Sequence, residues 1–249
     1  MAKGLLDTLL DSIFDNEWVG RKGEKLTERE LNLVKFFGRD GKILRNVYLP
    51  KTNGETSEID VVFITQKGIF VIESKNYSGW VFGDEKSAKW TAMLPNRAKN
   101  SFYNPIMQNR THVKWLKQYL NDATPLFSLI VFSERCELKK ISVESKDVHV
   151  LKRDRLYTTI REIWNESMDV LPQDKVEEIY KKLQPLTNVD QATKEQHVQT
   201  IKEKFSPDSL ICPICGSTLV LRTAKKGPNA GQQFYGCSSY PKCRFTKKE

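Results

Sequence analysis

The pattern of hydrophobic and polar positions predicts a sheet of mixed strands surrounded by helices. Apolar residues recur at helical spacing in some segments, whereas in others they alternate or run together, as they do in strands. The predicted helices cover residues 4–14, 24–37, 105–120, 156–164 and 174–183. The predicted strands cover residues 43–49, 59–65, 69–74, 79–82, 90–94, 127–132 and 148–151. This order predicts an α/β fold in which a mixed central sheet is flanked by helices.

Two of these strands, 59–65 and 69–74, are rich in β-branched residues and predict a β-hairpin. With a two-residue loop at Lys67 and Gly68, the predicted register places Asp60 opposite Lys75, and Glu73 lies on the same face. Charged groups at the rim of an apolar sheet are costly unless they have partners or a function. We therefore expect a functional site at the end of this hairpin.

The predicted N-terminal helix, in residues 1–19, carries an apolar stripe on one face. We expect this face to pack on the domain or on a second copy of the chain, as in a homodimer. Peripheral contact with a membrane is the alternative, although Asp7, Asp11 and Asp15 disfavour an anionic bilayer. The stripe consists of Leu5, Leu6, Leu9, Leu10, Ile13 and Phe14.

Composition changes the picture by suggesting an anionic partner. The 249 residues include 40 Lys and Arg against 31 Asp and Glu, which gives a net charge of +9 and favours nucleic acid or an acidic membrane surface. No apolar run approaches the roughly 20 residues of a membrane span, and the N-terminus lacks the pattern of a secretory signal. We therefore expect a cytoplasmic protein without an integral membrane span.

Four of the five cysteines lie in two close pairs near the C-terminus. Cys212 and Cys215 form a C-x2-C pair, and Cys237 and Cys243 form a C-x5-C pair. This spacing is typical of tetrahedral thiolate coordination of Zn²⁺. A segment with so few apolar residues needs the metal to fold, so we expect the zinc to be structural. Cys136 stands apart and is interpreted as a packed thiol.

The hairpin charges are suited to metal-dependent phosphodiester chemistry. Mg²⁺ or Mn²⁺ prefers hard oxygen ligands, which Asp60 and Glu73 provide as candidate cofactor ligands. A bound divalent cation activates water and stabilises charge on a phosphate, and a neighbouring lysine such as Lys75 orients the water or neutralises the phosphate. A glutamate from a preceding helix often completes such a site, and Glu24 is the candidate.

Residues 20 to about 150 resemble the NERD (nuclease-related) domain family, a branch of the PD-(D/E)xK restriction-endonuclease-like superfamily. The resemblance is carried by G-R-K-G-E at 20–24, I-D-V-V-F at 59–63, G-I-F-V-I-E-S-K-N at 68–76 followed by Gly79, and N-P-I-M-Q at 104–108. It implies a restriction-endonuclease-like fold. It also implies that Glu24, Asp60, Glu73 and Lys75 form the active site, with Gln108 contributing from the following helix. Where the superfamily usually has proline before the aspartate, this chain has Ile59.

Simpler roles exist for several of these residues. An isolated Glu-x-Lys is often a solvated ion pair, and Glu24 could be a helix N-terminal acid placed favourably on the helix dipole. Glu28 and Glu30 are rivals for the role of Glu24. Gln108 and His112, four residues apart on one helix face, could belong to the site edge or to an ordinary helix surface.

The C-terminal segment resembles the four-cysteine zinc finger of bacterial type IA DNA topoisomerases, a ribbon that binds single-stranded DNA. From Ser206 onward there are seven basic residues against two acidic ones, with aromatic residues interleaved. Aromatic faces that stack on bases and cations that bind phosphates suit sequence-tolerant single-strand binding; a protein-docking ribbon is the alternative. The expected nucleic-acid contacts are Arg222, Lys225, Lys226, Phe234, Tyr235, Tyr240, Lys242, Arg244 and Phe245.

The predicted organisation is an N-terminal helix at 1–19, a nuclease-like domain at 20–185, a partly helical linker at 186–207 and a zinc ribbon at 208–249. The predicted function is metal-dependent hydrolysis of DNA phosphodiester bonds, with the ribbon holding DNA. The alternative is a non-catalytic DNA-binding or adaptor protein on a retained nuclease fold.

Overall fold

The predicted α/β architecture is present in the computed structural model of the chain. The structure describes residues 17–51, 53–94, 96–204, 209–212, 217–226, 229–241 and 243–248. The predicted N-terminal helix at 4–14, with its proposed homodimer or membrane contact, lies outside these residues. In the part of the chain that the structure describes, no helix is long and apolar enough to cross a membrane.

The structure contains helices on either side of a central sheet, further strands that form a second sheet, and a small C-terminal sheet. The helices are α1 (Glu17–Phe36), α2 (Pro105–Leu120), α3 (Leu156–Glu166), α4 (Gln173–Leu183) and α5 (Gln191–Lys204), with short 3₁₀ turns at Arg153–Arg155 and Gln184–Thr187. The strands are β1 (Lys42–Pro50), β2 (Thr56–Thr65), β3 (Gly68–Lys75), β4 (Gly79–Asp84), β5 (Lys89–Met93), β6 (Lys99–Tyr103), β7 (Leu126–Phe132), β8 (Cys136–Ser142), β9 (Val148–Lys152), β10 (Leu219–Thr223), β11 (Gln233–Cys237) and β12 (Thr246–Lys248).

The central sheet has the strand order β1-β2-β3-β7-β9. The first three strands are antiparallel, whereas β3, β7 and β9 are parallel, so the sheet is mixed as predicted. Both of its faces are covered: one packs against α2 and α4 and the other against α1 and α3. Burial on both faces explains why β3 reads as a continuous apolar run rather than as an alternating strand.

A second sheet, with the order β6-β5-β4-β8, continues from one end of the central sheet. Its inner face buries Val81, Trp90 and Phe102 in a cluster that also contains Ile130 and Phe132 of β7. The sequence did not predict β6 or β8. Each is short and polar and carries only a few apolar side chains, so its pairing partners rather than its own sequence decide its conformation.

The predicted register of the central hairpin was wrong by two residues. Thr65 pairs with Gly68, so the loop consists of Gln66 and Lys67. Gly68 is already a strand residue with φ 133°, and a Cβ there would lie 2.5 Å from the carbonyl oxygen of Pro125, so the glycine permits close strand packing rather than a turn. A shift of two residues keeps every side chain on its predicted face, since the period along a strand is two.

Helix α1 begins earlier than predicted. It starts at Glu17 and continues through Gly20 and Gly23, which the sequence pattern placed before the helix. Gly23 lies where the helix crosses the end of β3, and a Cβ at this position would lie 3.2 Å from the Cβ of Asn76. The glycine therefore allows a close approach of helix and strand and does not end the helix.

Helix α2 begins as predicted, with Asn104 as its cap and Pro105 as its first residue. The Asn104 side chain accepts a hydrogen bond from the backbone N–H of Ile106 at 2.9 Å. Its amide nitrogen also donates to the carbonyl oxygens of Asp84, Glu85 and Ser87. One buried side chain thus fixes both the start of α2 and the turn between β4 and β5.

Candidate active site and zinc ribbon

Three predicted site residues, Glu73, Lys75 and Gln108, are linked by polar contacts at the end of β3. Lys75 Nζ lies 2.8 Å from Glu73 Oε1 and donates a hydrogen bond to Gln108 Oε1 at 3.1 Å. Glu73 is 1 % exposed, and the Lys75 side chain is 14 % exposed. Parallel pairing of β3 with β7 and the packing of α2 on β3 bring these groups together.

Asp60 lies on the neighbouring strand β2. Its Oδ2 accepts a hydrogen bond from the backbone N–H of Ser74 at 2.7 Å, and the observed register, continued by one pair, places it opposite Glu73 rather than opposite Lys75. The negative charge of Glu73 acts on Asp60, and the observed register corrects the predicted pairing of Asp60 with the Lys75 ammonium.

Glu24 reaches the same region from α1. It is 8 % exposed, and its Oε2 has no hydrogen-bond partner among the described residues. Its rival Glu28 forms an ion pair with Arg45 at 2.8 Å, and no contact of Glu30 with the other carboxylates is observed among the described residues. Of the three glutamates, Glu24 is the one that shares the electrostatic environment of Asp60 and Glu73.

The carboxylates shift one another's ionisation strongly. Burial, together with the charges of Glu58 and Glu73, raises the pKa of Glu24 to about 7. Burial and the charges of Glu73 and Glu24 raise the pKa of Asp60 well above its usual range. Crowded buried carboxylates of this kind are stabilised by a bound cation, so the pattern is typical of a functional site.

Glu73 and Lys75 behave as a stable ion pair within this cluster. Burial opposes ionisation of Glu73, but the Lys75 ammonium and His112 outweigh it and hold the pKa of Glu73 below its ordinary value. Burial likewise disfavours the Lys75 ammonium, but the charges of Glu73, Tyr77 and Asp60 raise the pKa of Lys75 above its ordinary value. Glu73 is therefore an anion and Lys75 a cation at neutral pH.

His112 lies at the site edge rather than on an ordinary helix surface. Its Nδ1 is 2.8 Å from Ser57 Oγ, and its Nε2 is 3.2 Å from Glu73 Oε2. Neither atom of the second contact makes a well-aligned hydrogen bond among the described residues. The helical spacing of Gln108 and His112 thus places Gln108 against Lys75 and His112 against Glu73.

Two further residues near the site were not singled out from the sequence. Glu58 precedes Asp60 by two residues, so strand alternation alone places it on the same face. The Glu58 carboxylate accepts a hydrogen bond from Asn46 at 3.2 Å. His197 of α5, within the predicted linker, contacts Thr56 Oγ1 at 2.7 Å through Nδ1 and lies 3.7 Å from the Glu58 carboxylate. Only the tertiary structure could reveal the position of His197.

The carboxylate cluster fits a hard divalent cation. Oε2 of Glu24 and Oε2 of Glu73 are buried carboxylate oxygens without hydrogen-bond partners among the described residues, and oxygen donors are the ligands that Mg²⁺ prefers. In that part of the chain, no three carboxylate or imidazole ligand atoms lie within 4.8 Å of one another. Mg²⁺ is commonly held by one or two carboxylates and keeps several waters, so it does not require three protein ligand atoms within that distance.

A second candidate metal centre lies in the C-terminal sheet. The sulfur atoms of Cys212, Cys237 and Cys243 all lie within 4.8 Å of one another and are buried. Cys212 precedes β10, Cys237 ends β11 and Cys243 follows β11, so the antiparallel sheet brings distant thiols together. The fourth predicted ligand, Cys215, lies outside the described residues. Clustered buried thiols are the chemistry of a zinc site.

The predicted nucleic-acid residues of the ribbon do not all have the same environment. Tyr235 and Phe245 pack partly against the cysteine cluster, whereas Tyr240 is 59 % exposed. Arg222 pairs with Phe234 across β10 and β11, which places both side chains on one face, and the Arg222 guanidinium lies 5.8 Å from the Tyr240 ring centroid. Lys225, Lys226 and Arg244 are exposed, and Lys242 lies outside the described residues.

Comparison with known proteins gives matches to two separate segments of the chain. Residues 19–133 match the family described as the nuclease-related domain, NERD. A protein of Bacillus anthracis described as uncharacterized is 35 % identical over 191 residues, which is 76 % of this chain and 87 % of that protein. The chain belongs to the NERD family. The match of the NERD domain contains every predicted active-site residue, from Glu24 to Gln108.

The C-terminal match is to a DNA-binding module. Residues 210–249 match the topoisomerase DNA binding C4 zinc finger. DNA topoisomerase 1 of Archaeoglobus fulgidus is 44 % identical over 48 residues, 18 % of this chain and 7 % of that enzyme. DNA topoisomerase 1 of Mycoplasma genitalium is 30 % identical over 83 residues, 32 % of this chain and 11 % of that enzyme.

The chain therefore spans only a small part of the topoisomerases, and the similarity concerns the ribbon rather than their catalytic function. No solved structure matches the chain. Together, the NERD domain and the zinc ribbon indicate a nuclease-related protein that binds DNA, and the cysteine cluster supports structural Zn²⁺ in the ribbon.

Proposed function

We propose that this NERD protein is a metal-dependent nuclease that hydrolyses DNA phosphodiester bonds at the carboxylate cluster, while the ribbon holds single-stranded DNA. The observation that carries the proposal is the arrangement of Asp60, Glu73 and Lys75 around one rim of the sheet. Glu24 is electrostatically coupled to Asp60 and Glu73, and its Oε2 has no hydrogen-bond partner in the described part of the chain. The order Asp60, Glu73-x-Lys75 follows the PD-(D/E)xK pattern, with Ile59 in place of proline.

Asp60 and Glu73 would hold Mg²⁺ or Mn²⁺, with Glu24 as a further carboxylate near the site. The bound cation supplies a Lewis acid for the scissile phosphate and favours ionisation of a water nucleophile. Lys75 is positioned by Glu73 and Gln108 and presents a fixed positive charge towards the phosphate. Because the lysine is buried in the ion pair, its charge is oriented before DNA arrives.

His112 is proposed as a positioning residue. Its imidazole lies between Ser57 and Glu73, so it restricts the orientation of the Glu73 carboxylate whose other oxygen contacts Lys75. A carboxylate that binds a cation is usually oriented by such outer contacts. His112 is therefore expected to affect the rate of cleavage more than the affinity for DNA.

The ribbon would raise the local concentration of DNA at the NERD domain, because both are parts of one chain. Exposed cations and the exposed Tyr240 ring suit binding to phosphates and unpaired bases. The thiolates that the zinc site requires persist in a reducing compartment, which agrees with the predicted cytoplasmic location.

The test is a cleavage panel of single-stranded, double-stranded and branched DNA together with RNA, each with and without Mg²⁺. Wild-type protein should cut at least one DNA substrate only when Mg²⁺ is present, and Asp60→Asn should abolish the cut while single-strand binding persists. Cleavage that is equal in Asp60→Asn, or that needs no divalent cation, would contradict the proposed site.

A further inference from the structure

The second sheet has two faces of different chemistry. The inner face is the apolar cluster around Trp90 described above. On the outer face, Trp80 pairs with Met93, which in turn pairs with Lys99, and Phe82 pairs with Lys140. Paired residues point to the same side of a sheet. Aromatic and basic side chains therefore share the outer face with one acidic residue, Glu137, which pairs with Trp80 across β4 and β8.

The aromatic residues of this face are accessible. Trp80 is 45 % exposed, which is unusual for the largest apolar side chain. The Lys139 ammonium lies 5.2 Å from the centroid of the Trp80 ring, so a cation covers one part of an exposed aromatic surface. Phe82 and Met93 beside it are half-buried. An exposed apolar group rimmed by charge is typical of an interaction site.

The charges on the face identify the class of partner. Lys89, Lys99 and Lys140 form no ion pair with the described residues, and the carboxylate nearest to Lys139 is Glu137 at 2.6 Å. Unneutralised cations in this arrangement are complementary to phosphate groups rather than to a basic or apolar partner.

The face begins close in the sequence to the carboxylate cluster. β4 starts at Gly79, directly after the short segment that follows Lys75, and β8 starts at Cys136, directly after the short segment that follows β7. Trp80 is five residues after Lys75 in the sequence, which corresponds to at most about 17 Å of chain. A strand bound at the cluster would therefore reach Trp80 within a few nucleotides.

We propose that this outer surface, made of Trp80, Phe82, Lys89, Met93, Lys99 and Lys140, binds single-stranded DNA next to the carboxylate cluster. The inference rests on the proposed nuclease function, since it assigns the path of the substrate. Unpaired bases stack on aromatic side chains that project from a sheet, and lysines around them bind the phosphates. A duplex keeps its bases stacked inside and could not use the exposed ring of Trp80 in this way.

The test measures binding of a fluorescent thymidine oligonucleotide to the full-length zinc-loaded protein, by anisotropy and without Mg²⁺. Trp80→Ala should weaken binding about 5- to 150-fold, the size of the loss of one stacked base, whereas Trp80→Phe should keep most of the affinity. Lys99→Gln with Lys140→Gln should lower the slope of log affinity against log salt by about 1.4.

The matched control is Lys117→Gln with Lys181→Gln, which removes the same charge from exposed positions on α2 and α4. Its affinity and salt slope should stay close to those of the wild type. If the urea unfolding midpoint of Trp80→Ala equals that of the wild type, loss of folding is excluded as the cause of weaker DNA binding.

Unchanged binding by Trp80→Ala and by the Lys99 and Lys140 variant would overturn the proposal, as would an equal loss in the control. The result is separable from the nuclease proposal. If no substrate is cut but these binding changes occur, the surface stands and the nuclease function fails. If the wild type cuts DNA with Mg²⁺ but the variants bind DNA as the wild type does, the binding surface is refuted and the nuclease function stands.

Discussion

Replacing Glu24 by glutamine should stabilise the metal-free protein at alkaline pH. The pKa of Glu24 is raised from 4.5 to about 7, and each tenfold change in an ionisation equilibrium is worth about 1.4 kcal/mol. Ionising this carboxyl therefore costs about 3 kcal/mol more in the folded than in the unfolded protein. Because Glu24 is 8 % exposed, solvent screens little of this cost.

The sign of the effect follows from the direction of the pKa change. Below pH 4.5 the carboxyl is protonated in both states, so its pKa has no effect on stability. As the pH rises from 4.5 to about 7, the unfolded protein loses this proton first, and stability falls. Glu24→Gln cannot ionise, so its advantage over the wild type should grow to about 3 kcal/mol at pH 8.

The assay is urea unfolding at pH 5 and pH 8 in the absence of divalent cations, followed by tryptophan fluorescence. All five tryptophans lie before residue 186, so the signal reports the NERD domain and not the ribbon. The stability difference between Glu24→Gln and the wild type is compared at the two pH values. Any cost of burying the glutamine amide is present at both, so the change in this difference reports the ionisation of Glu24. Glu28→Gln, which breaks the Arg45 ion pair, is the control and should lower stability by at most about 1 kcal/mol.

Addition of Mg²⁺ at pH 8 should raise the stability of the wild type more than that of Glu24→Gln, because a bound cation relieves the carboxylate repulsion and binds the folded state alone. A Glu24→Gln protein that is no more stable than the wild type at pH 8, or that shows the same difference at pH 5, would refute the assignment of Glu24 to this cluster.

Other predictions concern the ribbon and the positioning residue. Cys237→Ser should release zinc and weaken DNA binding, as measured by zinc content and anisotropy, while the fluorescence unfolding transition of the NERD domain stays unchanged. Tyr240→Ala should weaken single-strand binding by about 1 to 3 kcal/mol, and an unaffected affinity would remove Tyr240 from the DNA contacts. His112→Asn should lower kcat with little change in KM, whereas a change confined to KM would assign the residue to DNA binding.

The features that could be predicted from the sequence are those decided by local chemistry. The start of α2 follows from an asparagine cap before proline, and β3 and β7 are continuous apolar runs that are buried in a mixed sheet. A common face for Asp60, Glu73 and Lys75 is predicted by the two-residue period of strands, and a register error of two residues leaves that prediction unchanged. It stays a prediction, because the described pairing of β2 with β3 ends at Val61 and Ile72.

Features that depend on tertiary neighbours could not be predicted. The hairpin register depends on the close approach of Gly68 to Pro125, and the polar strand β8 exists because β4 pairs with it. The role of His112 remained open because Ser57, its partner, is 55 residues away in the sequence. Residues of this kind are identified only when distant segments are brought together.

On the proposed function, the carboxylate cluster cuts DNA with a divalent cation and Lys75. The most direct measurement is the single-turnover rate of cleavage of a labelled DNA strand by wild-type protein, by Lys75→Met and by Lys86→Met, at saturating Mg²⁺ and saturating protein. Lys86 is the control because its ammonium pairs with Glu144 in an exposed ion pair. Lys75→Met should lose cleavage by at least about 100-fold, while Lys86→Met should cut at the wild-type rate. Equal rates for all of them, or no Mg²⁺-dependent cleavage by the wild type, would contradict the proposed function.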